Sequence, residues 1–125
     1  MGKSSHDDVL DGALNIIKNN GTRISVCTTE PTTFAEATSS KMLAIKTISS
    51  TDFTGPANGD TSGRKITWNQ HTAVSITNSG LAEHVATCDF SNSKLLEVTT
   101  CTAQQLTAGN TVTIPTFKDE IADPA

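Results

Sequence analysis

The feature that most constrains this chain is its content of threonine and serine, which together make up about a quarter of its 125 residues. Threonine is β-branched and suits a pleated, half-buried surface, and its hydroxyl keeps the outer face of a strand polar without adding charge. Eight threonines lie in or beside short runs of alternating apolar and polar residues: Thr67, Thr72, Thr77, Thr87, Thr99, Thr100, Thr111 and Thr113. The pattern therefore predicts a mainly β protein.

Length and composition limit the kinds of protein that this chain can be. A chain of 125 residues predicts one domain, 1–125, and with 35% hydrophobic residues and no tyrosine its core must rest on aliphatic residues, four phenylalanines and Trp68. The net charge is −4 and no cluster of lysine and arginine occurs, which argues against binding to a nucleic-acid backbone. No run approaches the roughly 18 apolar residues of a membrane span, so we expect no membrane partner.

The segment 5–20 is predicted to be the only long helix. Its apolar residues recur at helical spacing and its acids fall near the positive end of the helix dipole. The apolar set is Val9, Leu10, Ala13, Leu14, Ile16 and Ile17, and the acids are Asp7, Asp8 and Asp11. Ser5 is the expected N-cap and Asn20-Gly21 the expected end. Two roles remain open for this helix: covering its own β-core or docking on a neighbouring subunit.

After Gly21 the apolar period changes from helical to alternating. Strands are predicted in seven or eight places: 22–28, 42–48, from 51, 64–68, 73–77, 81–90, 95–101, and from 111, where 117–121 continues the last strand. The segment 55–60 is the expected exposed loop tip, and 81–90 the expected longest strand. Turn signals every eight to twelve residues predict an antiparallel β-sandwich over 22–121, jelly-roll-like or barrel-like, behind the N-terminal helix.

The three cysteines, Cys27, Cys88 and Cys101, are odd in number and have no CxxC spacing, so neither a zinc finger nor a disulfide framework is expected. Two interpretations stay open: small apolar residues in the core, or oxidation that forms a bridge between subunits. A tight hairpin at Ser91-Asn92 predicts that Cys88 faces Leu95 and that Cys101 faces Ala82.

No group of residues predicts catalysis. His84 and Cys88 share one face of a predicted strand, but their spacing puts them roughly 13 Å apart, too far for a nucleophile and its base. His71 is expected at a strand end or in a loop. Asn58-Gly59-Asp60 resembles half of a calcium loop without the remaining ligands. We therefore expect no enzyme, no cofactor and no metal.

The order of several segments resembles that of small virion structural proteins of tailed bacteriophages. The resemblance covers the chain from about residue 5 to its end and rests on segments in this order: Leu14-Asn15-Ile16-Ile17-Lys18-Asn19-Asn20, Arg23-Ile24-Ser25-Val26-Cys27-Thr28-Thr29-Glu30-Pro31, Phe53-Thr54, Ser62-Gly63-Arg64-Lys65-Ile66, His84-Val85-Ala86-Thr87, Leu95-Leu96-Glu97-Val98-Thr99-Thr100, Leu106-Thr107-Ala108-Gly109-Asn110-Thr111-Val112 and Ile114-Pro115. The resemblance implies a β-domain of the head or tail without an enzymatic role, and it assigns no functional residue.

The preferred function is thus a non-enzymatic virion protein, a decoration or cementing protein that stabilises the capsid through subunit contacts. It implies a virion location after assembly in the bacterial cytoplasm, contacts with the major capsid protein or other virion subunits, and a homo-oligomer, with a trimer favoured. The alternative is a neck, collar or tail-fibre module, including one that binds a receptor glycan. Trp68, whose ring could stack on a sugar, lies in a run that predicts burial. A small hydrolase using Cys88 and His84 ranks third.

Overall fold

The structure, a computed structural model, describes residues 4–124. It is mainly β, as predicted, with one α-helix at the N-terminal end. The elements in chain order are α1 (Asp7–Asn20), β1 (Arg23–Cys27), β2 (Met42–Thr47), β3 (Phe53–Asn58), β4 (Arg64–Trp68), β5 (His71–Ser75), β6 (Gly80–Asp89), β7 (Lys94–Leu106), β8 (Thr111–Ile114) and β9 (Phe117–Ile121). Short helical turns lie at Glu36–Ser40 and Ser50–Asp52.

The strands form three sheets in which every paired strand is antiparallel to its neighbour. One has the order β2-β1-β6-β7, the second β3-β4-β9, and the third pairs β5 with β8. A single bridge between Ala44 and Ile76 joins the end of β5 to β2. The described residues contain nine strands rather than seven or eight, because Pro115 interrupts the predicted last strand and 117–121 pairs in a different sheet.

Helix α1 begins two residues later than predicted. The side chain of His6, not that of Ser5, caps it, because His6 Nδ1 accepts a hydrogen bond from the Asp8 amide at 3.0 Å. At the other end the amide of Gly21 donates to the carbonyl of Ile17 at 2.8 Å. Leu10 and Leu14 are buried on the face that packs against β3 and β4. The helix therefore covers part of its own β-core, the first of the two roles left open.

An ion pair that the sequence pattern does not predict fixes α1 to β4. The pattern indicates a solvated acid at Asp11 near the helix start, but the Arg64 guanidinium holds its carboxylate through two bonds, Nε to Oδ1 at 2.8 Å and Nη2 to Oδ2 at 3.2 Å. Asp7 lies 3.8 Å from the same guanidinium. A two-bond pair of this kind fixes orientation as well as position, so it sets the angle at which the helix crosses the sheet.

Trp68 is the centre of the core. It is buried on the same face of β4 as Ile66, as the alternation predicted. Its ring stacks on Phe117 with centroids 4.6 Å apart and meets Phe53 at 5.3 Å. The indole N–H donates to the Thr87 hydroxyl on β6 at 3.0 Å, in a fully buried setting. One hydrogen bond therefore links the four-stranded sheet to the three-stranded sheet.

Two local predictions are wrong. Residues 55–58 belong to β3 and are not a loop tip; Pro56 is tolerated there because β3 is an edge strand and needs no amide donor on its outer side. The turn begins instead after Asn58. The longest strand is β7, with 13 residues, not the strand at 81–90.

The hairpin of β6 and β7 keeps the predicted register only near its turn. Cys88 faces Leu95 as expected. Farther from the turn Ala82 faces Gln104, not Cys101, because two register shifts insert extra residues into β7. Such bulges bend the strand that carries them. They put Cys101 in an irregular part of β7, between Thr100 and Gln104.

Candidate functional site

A concave surface lies where β7 faces β8 and β9. We call it the open groove, and its volume is about 510 Å³. Its lining is Val85 on β6, Thr99, Thr100, Cys101 and Thr102 on β7, and Ile114, Pro115 and Phe117 at the junction of β8 and β9. A deeper recess of about 140 Å³ continues it toward Val26, Ala82, Leu106 and Val112. The lining combines apolar side chains with threonine hydroxyls and contains no charged side chain, which suits contact with another polypeptide better than with a charged ligand.

The groove follows an edge strand whose outer side has no hydrogen-bonded neighbour within residues 4–124. The run 98–117, which supplies nearly all of its lining, contains no charged residue. Proteins commonly protect exposed edges with charges, prolines or bulges. Beyond Glu97, β7 has only one of these features, the bulge between Thr100 and Gln104. The edge is therefore partly protected from uncontrolled pairing, and the groove wall stays uncharged.

One end of the open groove carries two acids from different sheets. Glu97 on β7 and Asp119 on β9 line a small polar recess beside Trp68 and Phe117. Burial, the hydrogen bond with the Asp119 carboxyl and the charge of that carboxyl raise the pKa of Glu97 to about 8. Glu97 therefore keeps its proton at neutral pH, and the two acids meet where the two sheets approach each other. No local pattern in the sequence indicates this pair, because 22 positions separate the two residues.

The three cysteines lie in two different places, and all are free thiols. Cys27 and Cys88 are fully buried under the turn Glu36–Ser40, within a small apolar cluster that includes Ala37 and Ala86. Burial raises the pKa of both thiols, that of Cys88 to about 11. Cys101 is half-buried in the wall of the open groove. Of the three predicted candidates for a bridge between subunits, only Cys101 therefore has its sulfur near the surface.

The structure places His84 and Cys88 four residues apart on β6, with different neighbours across the sheet. In the register of the sheet His84 faces Cys27 on β1 and Thr100 on β7. The raised pKa of Cys88 keeps its thiol protonated, which is unfavourable for a nucleophile. His71 is the first residue of β5, the strand end that was expected, and it is buried.

The aromatic residues are divided between the core and one exposed cluster. Trp68 is 1% exposed, so its ring has no free face on which a sugar could stack. Phe90 is 46% exposed, but the Arg23 guanidinium lies 4.4 Å from its ring centroid and Phe34 meets its edge. The exposed ring is thus already in contact with two side chains of the same chain.

Asp60, the acid of the half calcium loop, lies between two lysines. Lys65 approaches its carboxylate at 2.6 Å, and Lys118 pairs with the same carboxylate. These cations occupy the oxygens that a metal ion would need. Among residues 4–124 no group of three or more histidines, cysteines or acids is arranged to bind a metal.

Comparisons with protein-family models, with curated proteins and with solved structures found no significant match. Within the described part of the chain, no helix has the length and apolar character needed to cross a bilayer.

Proposed function

We propose that this chain is a non-enzymatic structural protein of a tailed-phage virion, most simply a decoration or cementing protein that stabilises the capsid by subunit contacts. The observation that carries the proposal is the open groove, an uncharged concave surface beside an edge strand. Its partners are the major capsid protein or other virion subunits, and the favoured assembly is a homotrimer. The resemblance in segment order to small virion proteins supports the same interpretation.

We also propose how the three sheets pack against one another. We infer a sandwich in which the four-stranded sheet packs on the three-stranded sheet, joined by the bond between Trp68 and Thr87. The β5–β8 pair lies beside one end, and the Glu97–Asp119 pair lies at the side that remains open. A sandwich open on one side leaves apolar core surface in contact with solvent, which a neighbouring subunit would cover.

Apolar contacts repeated across a lattice explain how a protein with only 35% hydrophobic residues can stabilise a capsid. Each interface can be weak, because many copies bound together multiply the effect of a single contact. A partner that covers the groove stabilises the folded state by mass action. The uncharged run 98–117 offers such a partner no repulsive charge and no ion that must be desolvated.

The test is incorporation of the chain into particles. Phage that encodes the chain is complemented with wild type, with Thr102→Lys in the groove wall, or with Thr29→Lys as a matched exposed control. The particles are then purified and analysed by quantitative mass spectrometry. We expect many copies per particle for wild type and the control, and at least a tenfold loss for Thr102→Lys. Absence of the wild-type chain from particles would contradict the virion role. Equal incorporation of both variants would contradict the role of the groove.

A copy number of a few to a dozen would favour the alternative location at the neck, collar or tail. The receptor-binding version of that alternative has less support, because the buried Trp68 offers no stacking surface for a glycan.

A further inference from the structure

Two carboxyl side chains meet at one end of the open groove, between strands that do not pair. β7 is the outer strand of the four-stranded sheet and β9 the outer strand of the three-stranded sheet, and no backbone hydrogen bond joins them within residues 4–124. Glu97 lies opposite the buried Thr87, and Asp119 opposite the buried Ile66. Residues that face each other across a strand pair share a side of the sheet, so both acids point inward. At this end β7 and β9 are therefore joined through side chains.

The contact between the two carboxyls requires a proton. Glu97 forms a hydrogen bond with Asp119, and ionised carboxylates can only accept, so one of the two groups must be protonated. With the proton on Glu97, its O–H donates to an Asp119 oxygen and the pair carries one negative charge. Loss of that proton to solvent leaves two negative charges in contact, which repel each other.

The charged groups on the strands around Glu97 are engaged elsewhere and do not offset a second negative charge in the recess. Lys118 of β9 lines the recess, but its ammonium pairs with Asp60, which also binds Lys65 of β4. The remaining charged groups near these strands have the following partners: Arg64 pairs with Asp11, Asp89 accepts from Asn92 and faces Lys94, and Glu120 accepts from the Thr61 amide.

The acid pair adjoins both the open groove and the core tryptophan. Thr99 and Phe117 line the recess that holds the acids, and they also line the open groove. Trp68 lines the same recess from the core side and stacks on Phe117. Separation of β7 from β9 at this end would therefore widen the groove and bring water to the Trp68 ring.

We propose that Glu97 and Asp119 form a pH-dependent latch between β7 and β9, closed while the pair holds one proton and open when both carboxyls are ionised. The latch goes beyond the proposed function, since it acts in the isolated chain and does not depend on the virion role. The bond between Trp68 and Thr87 still joins the two sheets, so the opening is local. Because the pKa of Glu97 is raised to about 8, the latch opens between pH 7 and pH 9.

Acrylamide quenching of tryptophan fluorescence tests the latch in the purified chain. Trp68 is the only tryptophan and the chain has no tyrosine, so the emission reports this site alone. The closed form leaves the ring 1% exposed, which predicts weak quenching at pH 6. We expect the quenching constant to rise at least twofold by pH 9, with a midpoint near pH 8, while the far-UV circular dichroism stays unchanged. A constant that does not change, or a rise accompanied by loss of the dichroism signal, would overturn the proposal.

Two variants separate the latch from every other titration. In Glu97→Gln an amide N–H donates to Asp119 at any pH, and in Asp119→Asn the ionised Glu97 meets no like charge. We expect both variants to keep the weak quenching of pH 6 up to pH 9, and the exposed control Glu30→Gln to follow wild type. A rise equal to that of wild type in either variant would overturn the proposal. Circular dichroism at pH 6 verifies folding, and if one variant does not fold the other decides.

Discussion

The side of the molecule covered by α1 and the side that carries the open groove are both built from antiparallel strands. The two sides differ in how much of their core surface the chain itself covers. On the helix side Leu14 is fully buried, and the Asp11–Arg64 pair fixes the helix to β4. On the groove side β7 has an unpaired outer edge within residues 4–124, and a space of about 510 Å³ separates it from β8 and β9. On the first side the helix covers the sheet beneath it, whereas on the second side core surface stays exposed and a neighbour can cover it.

The largest expected loss of stability comes from a change on the side covered by α1. Leu14→Ala removes a fully buried side chain and leaves a cavity under α1, so we expect a loss of about 2–5 kcal/mol in the free energy of unfolding. The comparison change on the groove side, Val112→Ala at a half-buried residue that lines the deeper recess, should cost about 1 kcal/mol or less. Urea denaturation of both variants measures the difference. Equal losses would show that the two sides are equally well packed.

The next effect concerns the hydrogen bond between Trp68 and Thr87, which links the two larger sheets. Thr87→Val keeps the side-chain shape but removes the acceptor of the Trp68 indole N–H, leaving a buried donor unpaired. We expect a loss of about 1–3 kcal/mol by urea denaturation. Thr87→Ser retains the hydroxyl and is the control that separates this bond from the loss of packing. A Thr87→Val variant as stable as wild type would show that the bond contributes nothing net.

A smaller effect tests the ion pair on the helix side. Asp11→Asn removes the charge that binds Arg64, and we expect a decrease in stability smaller than that from Thr87→Val. Because part of the interaction is electrostatic, the difference from wild type should shrink as salt is added. Asp8→Asn, at an exposed acid of the same helix, is the control. A difference that is independent of salt would mean that Asp11 acts through packing alone.

The last effect depends on pH and concerns the two acids at one end of the groove. The pKa of Glu97 is raised to about 8 in the folded chain from an ordinary value of 4.5, so between these values the folded state holds a proton that the unfolded state lacks. The contribution is fully present below pH 4.5 and is lost as the pH rises through 8. Melting temperatures measured from pH 5 to 9 should therefore fall less for Glu97→Gln than for wild type. The exposed control Glu30→Gln should follow wild type; identical profiles for all three would contradict the raised pKa.

The sequence predicts the regular parts of this fold and misses what long-range packing decides. Alternation is a local signal, so the burial of Trp68 and Ile66 is predicted correctly, as is the helix. The register of β6 and β7 is predicted only near the turn, because the bulges that move Cys101 away from Ala82 have no local signature. A pairing such as Glu97 with Asp119 depends on two sheets meeting, which no spacing along the chain encodes. The groove is not predicted for the same reason.

Cryo-electron microscopy of intact phage particles tests the central claim most directly, with this structure fitted into the map. We expect density for the chain at many copies on the outside of the capsid lattice, with the groove of β7, β8 and β9 covered by a neighbouring subunit. Density with the groove facing solvent would contradict the assigned contact surface. No matching density anywhere on the particle would contradict the virion role itself.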